Sequence, residues 1–259
     1  MNGSWTIPES LPALAADQLQ LWRISLERTN PSPGIGFLLN QAYAVLNTKE
    51  RERAARMRAG TTREEFIAGR GCLRRLLGSV LDADPRPLIL DTGSHGKPTL
   101  RSQPGEILPQ FNLAHSRGVI LIGLSAVGAI GVDVEYLNPD VELYDVARTA
   151  FHAEDIVQIQ LAASPDEALS AFYRCWTRKE AVAKADGRGL SLEPTSFAAG
   201  TDSTGERKVV LHDSSHENTF YVRAIDVGPS HRAALAAARP GLMAKYYDFS
   251  PQSSLLFDE

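Results

Sequence analysis

Cysteine is nearly absent from this chain: Cys72 and Cys175 are the only two. Neither stands in a C-x-x-C pair or in zinc-site spacing, so a disulfide framework and a cysteine-ligated metal are both excluded. Each falls in a segment that reads as helix, where a small buried thiol is the ordinary expectation. Long apolar runs are lacking too. None approaches the roughly 20 residues that a membrane-spanning helix needs. The opening stretch, MNGSWTIPESLPALAADQLQLW, has no basic start and no continuous apolar core, so no secretory signal is expected. These absences predict a protein of the reducing cytoplasm with no membrane attachment. An excess of positive charge is also missing. The 27 Lys and Arg against 31 Asp and Glu leave a net charge of -4, which argues against a general nucleic-acid binder. What is present is an ordinary globular composition, 43% apolar and 22% charged over 259 residues. That length suffices for one large domain or two modest ones, each with its own core.

Along the chain, a Pro-, Ser- and Gly-rich opening surrounds one strand-like piece, Gln20–Leu26. Asn47 and Glu50 stand at capping-box spacing and open a charged helix. Thr62 and Glu65 form a second such pair. Beyond it Phe66, Leu73, Leu76, Leu77 and Val80 recur at helical spacing, predicting a long helix from Thr62 to about Leu81. Arg63, Arg70 and Arg74 share one side of it, either a solvated stripe or a phosphate-facing edge. Short strand-like runs follow at Pro87–Leu90 and Phe111–His115, with a glycine-punctuated loop at Thr92–Pro98. Val119–Ser125 and Ala129–Glu135 read as a hairpin joined near Val127-Gly128. Ser164, Pro165 and Glu167 then cap a second long helix running to about Ala185 and ended by Gly187. Strand-like runs at Lys208–Leu211, Phe220–Asp226 and Arg232–Ala238 come next, and the final residues read as a loose tail. Each half is thus a long helix followed by short strands. The expectation is an α+β protein of two closely packed halves, 1–128 and 129–259, without a letter-level repeat.

Chemistry concentrates in a few places. Side chains alternate along a strand, so Asp133 and Glu135 share one face while Val132 and Val134 take the other. Two like charges so placed repel unless solvent or a cation lies between them. An exposed polar face is one explanation. A hard-cation site is the other, since oxygen ligands suit magnesium. Gly131 beside them leaves open backbone for a ligand to approach. Glu180 and Lys184 stand at i and i+4 on the second long helix. They form either a helix ion pair, stabilising by a few tenths of a kcal/mol, or a third carboxylate and a phosphate contact. Trp176, one turn earlier, suits the core. His115 is either hydrogen-bonded structure or a ligand contact. Lys97, framed in Gly96-Lys97-Pro98, is either a surface lysine or a phosphate contact supported by backbone amides.

Taken in order, the chain carries a basic helix (Lys49–Arg58), Ala68-Gly69-Arg70, Gly96-Lys97-Pro98, Phe111-Asn112-Leu113-Ala114-His115-Ser116, Gly131-Val132-Asp133-Val134-Glu135, and Trp176-Thr177-Arg178-Lys179-Glu180 with Lys184. Gly187-Arg188-Gly189-Leu190-Ser191-Leu192 extends the series. It resembles the 4'-phosphopantetheinyl transferase superfamily in its long, pseudo-dimeric Sfp type, across roughly residues 45 to 200, with the later strands fitting more loosely. The resemblance implies two similar α/β halves related by pseudo-two-fold symmetry, each a long helix on a small, mainly antiparallel sheet, with coenzyme A in the cleft between them. It implies magnesium on Asp133, Glu135 and Glu180, and coenzyme A phosphates contacted by Lys184 and His115. Gly96, Lys97 and Pro98 would line the nucleotide pocket with Asn112, Ala114 and His115, and Arg53 and Arg70 would hold the phosphoadenosine end. Glu50 and Gly71 depart from the lysine and threonine of some relatives.

The activity implied is magnesium-dependent transfer of 4'-phosphopantetheine from coenzyme A to a serine of an apo acyl or peptidyl carrier protein, with release of 3',5'-ADP, by a monomer. Glu180 is then either the general base or a metal ligand only. Ala185–Thr195 is the expected carrier contact, so the N-terminal half supplies nucleotide contacts and the C-terminal half the metal site and docking. A magnesium-dependent pyrophosphatase and a non-catalytic coenzyme A-binding module are the competing explanations.

Overall fold

A computed structural model describes residues 4–26, 34–92, 98–101, 108–212 and 217–249. Gly96 and Lys97 lie outside the described residues, as do most of the expected glycine-punctuated loop and nearly all of the expected tail. Among the described residues, those before Gly128 and from Met243 onward form one compact unit, and Gly128–Leu242 forms the other. No described helix is long and apolar enough to cross a membrane.

In the first unit the order is β1 (Leu19–Ser25), α1 (Gly34–Ala44), α2 (Thr48–Arg56), α3 (Thr61–Leu81), β2 (Leu90–Thr92), β3 (Pro98–Leu100), β4 (Gln110–Ser116) and β5 (Val119–Ser125). β5 runs antiparallel between β1 and β4. On α3, Ala68, Cys72, Leu73, Leu76 and Leu77 make a helical stripe. It is buried with Trp22, Ile24, Ile120, Ile122 and Leu124 of the sheet, and removing this apolar surface from water holds the helix in place. The Asn47–Glu50 capping box forms as expected: Asn47 Oδ1 accepts from the Glu50 amide at 2.9 Å, and the Asn47 amide donates to Glu50 Oε2 at 3.0 Å. The Thr62–Glu65 box does not form. α3 begins at Thr61 behind Gly60 with no side-chain cap, because Glu65 is buried and bonded elsewhere. α1 has no counterpart in the sequence reading, and of the Pro87–Leu90 run only Leu90 is strand.

Arg74 departs from both expectations for the arginine stripe. It is fully buried, with Nε donating to Glu50 Oε2 at 2.7 Å and Nη1 donating to the carbonyls of Pro85 at 2.8 Å and Leu88 at 3.0 Å. It fastens α2, α3 and the following loop together. A charge can be held there because a carboxylate and several carbonyls replace its water.

The second unit runs β6 (Ile130–Tyr136), α4 (Leu143–Ala150), α5 (Ala153–Gln160), α6 (Pro165–Asp186), β7 (Glu206–His212), β8 (Glu217–Ile225) and β9 (His231–Ala237). Its sheet is antiparallel in the order β6-β9-β8-β7. Ser164 Oγ accepts from the Glu167 amide at 3.2 Å, Pro165 opens α6 and Gly187 closes it. The Glu167 carboxylate pairs with Arg174 instead of completing a capping box. Ala171, Phe172, Cys175, Val182 and Ala185 of α6 are buried in one core with Val222, Ala234 and Ala236.

Two expectations are corrected. β5 and β6 are not a hairpin: both edges of β5 are occupied by β1 and β4, and β6 pairs with β9. β10 (Ala244–Asp248) pairs in parallel with β1, so the described residues after Leu242 go with the first unit and not with the half that precedes them. Within each unit the element order is the same: strand, helices ending in the longest, then strands. The opening strand pairs with the closing one in both, as β1-β5-β4 and as β6-β9-β8.

Candidate active site

The site is built where α6 crosses β6. A Cβ placed on Gly131 would stand 2.0 Å from the Ala181 carbonyl oxygen and 2.5 Å from the Ala185 amide. Only a residue without a side chain allows this approach. The glycine therefore serves helix packing, not the ligand approach that the sequence suggested. Two residues on, Asp133 points to the same face, toward the turn of α6 that follows Glu180.

Asp133 is only 3% exposed. Its Oδ1 takes a hydrogen bond from Lys184 Nζ at 2.6 Å. Its Oδ2 is buried and has no hydrogen-bond partner. Burial pushes the Asp133 carboxyl above the usual range, and the Lys184 ammonium partly opposes this. Glu180, one helical turn before Lys184, is also pushed up, first by burial and then by the charge of Asp133, again opposed by Lys184. Lys184 thus bonds across to the strand instead of serving only as an i, i+4 partner within the helix. Glu135 is half-buried further along β6, where its register partner is Arg232.

Asp133, Glu180 and Lys184 are brought together. Among the described residues, no group of three His, Cys, Asp or Glu side chains stands ready to hold a metal ion. The donor chemistry nevertheless fits a hard cation. Two carboxylates share a desolvated place with one ammonium, and one buried carboxylate oxygen is unsatisfied. Such an orphan is costly unless something positive meets it.

Trp176 packs in the core as expected, and two neighbouring motif residues do structural work that the sequence did not reveal. Trp176 stacks on Phe172 and packs near Phe151. Arg178 donates to the carbonyls of Ala199 at 3.1 Å and Asp202 at 2.7 Å. Lys179 pairs with Asp155 at 3.0 Å and donates to the carbonyls of Pro194 and Phe197. Asp155 in turn accepts from the amides of Ala199 and Gly200. Arg178 and Lys179 thereby anchor the segment after α6, while Glu180 and Lys184 face β6. Helical geometry divides the adjacent residues Arg178, Lys179 and Glu180 in this way, and their letters alone do not.

The remaining expected residues belong to the other unit. Asn112 and Ala114 are buried on β4 and Pro98 opens β3. His115 is exposed on β4, with Nδ1 3.1 Å from Glu65 Oε2. Arg53 lies 4.8 Å above the Phe66 ring. Arg70 pairs with Glu50 at 3.4 Å, and its Nη1 is buried without a hydrogen-bond partner. Burial lowers the proton affinity of Arg70, Glu50 raises it, and Arg74 and Arg53 lower it further. Glu50 is thus the counter-charge of an arginine cluster. Gly71 lets α1 pack against α3, since a Cβ there would strike the backbone of Ala42.

This mixed α+β chain carries a desolvated carboxylate pair facing a lysine, a site suited to meeting charged groups. The family model described as the 4'-phosphopantetheinyl transferase superfamily matches residues 129–238, which run from the start of β6 past the end of β9. The 4'-phosphopantetheinyl transferase HetI of Nostoc sp. is 35% identical over 187 residues, 71% of this chain and 76% of the relative. The 4'-phosphopantetheinyl transferase Sfp of Bacillus subtilis is 26% identical over 197 residues, 76% of this chain and 84% of the relative. The 4'-phosphopantetheinyl transferase AcpT of Escherichia coli is 35% identical over 128 residues, 49% and 60% respectively. The chain belongs to the 4'-phosphopantetheinyl transferase superfamily.

Proposed function

We propose that this enzyme transfers the 4'-phosphopantetheine arm of coenzyme A to a serine hydroxyl of an apo acyl or peptidyl carrier protein and releases 3',5'-ADP. The observation that carries this reading is the buried Asp133, bonded to Lys184, electrostatically coupled to Glu180 and left with one unsatisfied oxygen. Asp133, Glu135 and Glu180 would hold a magnesium ion, which when bound supplies positive charge to the pyrophosphate oxygens.

The chain's own groups divide the rest. The serine oxygen forms a bond to the β-phosphorus while the bond from that phosphorus to 3',5'-ADP breaks. The Lys184 ammonium sits where negative charge accumulates. Glu180, whose proton affinity is raised, takes the serine proton. Arg53, Arg70, Gly96, Lys97, Pro98, Asn112, Ala114 and His115 contact the nucleotide portion of coenzyme A. The segment Ala185–Thr195, anchored by Lys179, receives the carrier. The shared element order of the two units supports a duplicated, pseudo-two-fold architecture. A reducing cytoplasm agrees with two buried free thiols, and the enzyme acts as a monomer.

The test is incubation with coenzyme A, magnesium and an apo carrier protein, read by mass spectrometry of the carrier. The expected result is a gain of one phosphopantetheine arm, nearly abolished in an Asp133→Ala variant with unchanged circular dichroism. Coenzyme A hydrolysis without gain on the carrier, or near-normal turnover by Asp133→Ala, refutes the assignment.

A further inference from the structure

Glu65 is an acid that the function above does not use, and its burial is hard to explain by packing alone. It sits on α3, and its side chain is 5% exposed. Its Oε1 accepts from the Gly118 amide at 2.6 Å. Its Oε2 lies 3.1 Å from Nδ1 of His115, whose side chain is 39% exposed. Gly118 and Arg117 form the two-residue turn between β4 and β5, with φ of 90° and 42°. Both values are positive, as a type I' hairpin turn requires. Arg117 adopts this conformation against the preference of a side chain bearing a Cβ. One buried carboxylate therefore grips the turn by its backbone and the last outward side chain of β4 by its ring.

We propose that Glu65 is a positioning residue that fixes the ring of His115 for contact with a phosphate of coenzyme A. The proposal rests on the reading of His115 given above. An ionised carboxylate can only accept, so the hydrogen in this contact is on Nδ1. Nε2 is then the nitrogen left to face outward from the strand, and because a phosphate oxygen only accepts, the ring that meets it carries a hydrogen on Nε2 as well, with the Glu65 carboxylate facing the resulting imidazolium at Nδ1. The second bond, to Gly118, keeps the carboxylate from rotating away, so ring and turn are held as one piece. A histidine oriented by a carboxylate through one nitrogen presents the other in a defined direction.

The test uses the full chain and three variants: Glu65→Gln, His115→Ala and the double variant. Glutamine keeps a carbonyl for the Gly118 amide but turns a donor toward Nδ1. With coenzyme A bound, the nitrogen spectrum of His115 should show hydrogen on both ring nitrogens in the wild type and on Nε2 alone in Glu65→Gln, which loses the charge of the contact. With coenzyme A as the varied substrate, Glu65→Gln and His115→Ala should each raise KM by roughly ten- to hundred-fold, the size of losing one charged hydrogen bond. The double variant should be no worse than His115→Ala alone, with kcat nearly constant throughout. Additive KM losses in the double variant, or an unchanged ring spectrum in Glu65→Gln, overturn the proposal. An unchanged KM in His115→Ala overturns the coenzyme A contact itself, and the nitrogen spectrum then still decides whether Glu65 sets the ring.

Discussion

Replacing Gly131 by alanine tests the geometry of the site without touching any chemical group. The added methyl would begin 2.0 Å from the Ala181 carbonyl oxygen, whereas carbon and oxygen rest at about 3.3 Å or more. The strand and helix must therefore separate by about 1.3 Å. The obstacle is backbone on both sides, so no side-chain rotation relieves it. Overpacking of this kind costs about 1–3 kcal/mol, and the upper end applies here. For a chain of this size that is a fall in melting temperature of about 6–12 °C. The same displacement draws Asp133 on β6 away from Glu180 and Lys184 on α6. A misplacement of about 1 Å costs on the order of a hundredfold in rate. Thermal unfolding followed by circular dichroism reads the first effect. Transfer to a carrier, at a temperature where the variant is folded, reads the second. A Gly131→Ala protein with wild-type melting and wild-type turnover would show that β6 and α6 do not meet as described.

The remaining predictions concern charge and burial. Asp133 and Glu180 bind protons more tightly in the folded chain than unfolded, so stability falls as pH rises from the ordinary carboxylate range, about pH 4, toward their raised values. The Asp133→Asn/Glu180→Gln variant lacks this penalty, and urea unfolding should show it gaining on wild type between about pH 4 and neutrality. A gap that narrows would contradict the burial of these groups. Magnesium at a hundred times its dissociation constant should stabilise the wild type by about 2.7 kcal/mol and leave that double variant unmoved in the same thermal assay. Lys179→Met should lose about 3–5 kcal/mol by stranding the buried Asp155, and Lys184→Met should also lose stability by stranding the buried Asp133, but only Lys184→Met should lose turnover at a temperature where both variants are folded. Equal turnover by the two folded variants would remove the distinction between them. Cys72 and Cys175 are buried and their thiols are pushed up by that burial, so a thiol reagent should label neither until denaturant is added.

Local rules carried a good deal of the fold. The Asn47 capping box, the Ser164 cap with Pro165, the glycine after α6 and the apolar stripes of both long helices all follow from interactions within a few residues. So does the shared face of Asp133 and Glu135, since alternation is a property of any strand. The family was legible because chemistry-bearing segments keep their order along the chain whatever the packing. Pairing across the chain was not legible. Nothing near Val127 tells a hairpin turn from a connector, because β6 finds its partner some 100 residues later at β9, and β10 returns to β1 from farther still. Burial of charge was equally hidden. Arg74, Arg178 and Lys179 have the letters of surface or catalytic residues, and only the carbonyls and carboxylates brought to them by distant segments make them structural. Glu65 looked like a helix cap until the turn at Gly118 was folded against it. The amino-acid order thus determined the helices, the alternation and the family. Only tertiary structure decided which strand pairs with which and which charges lose their water, since both depend on groups that the chain brings together from far apart.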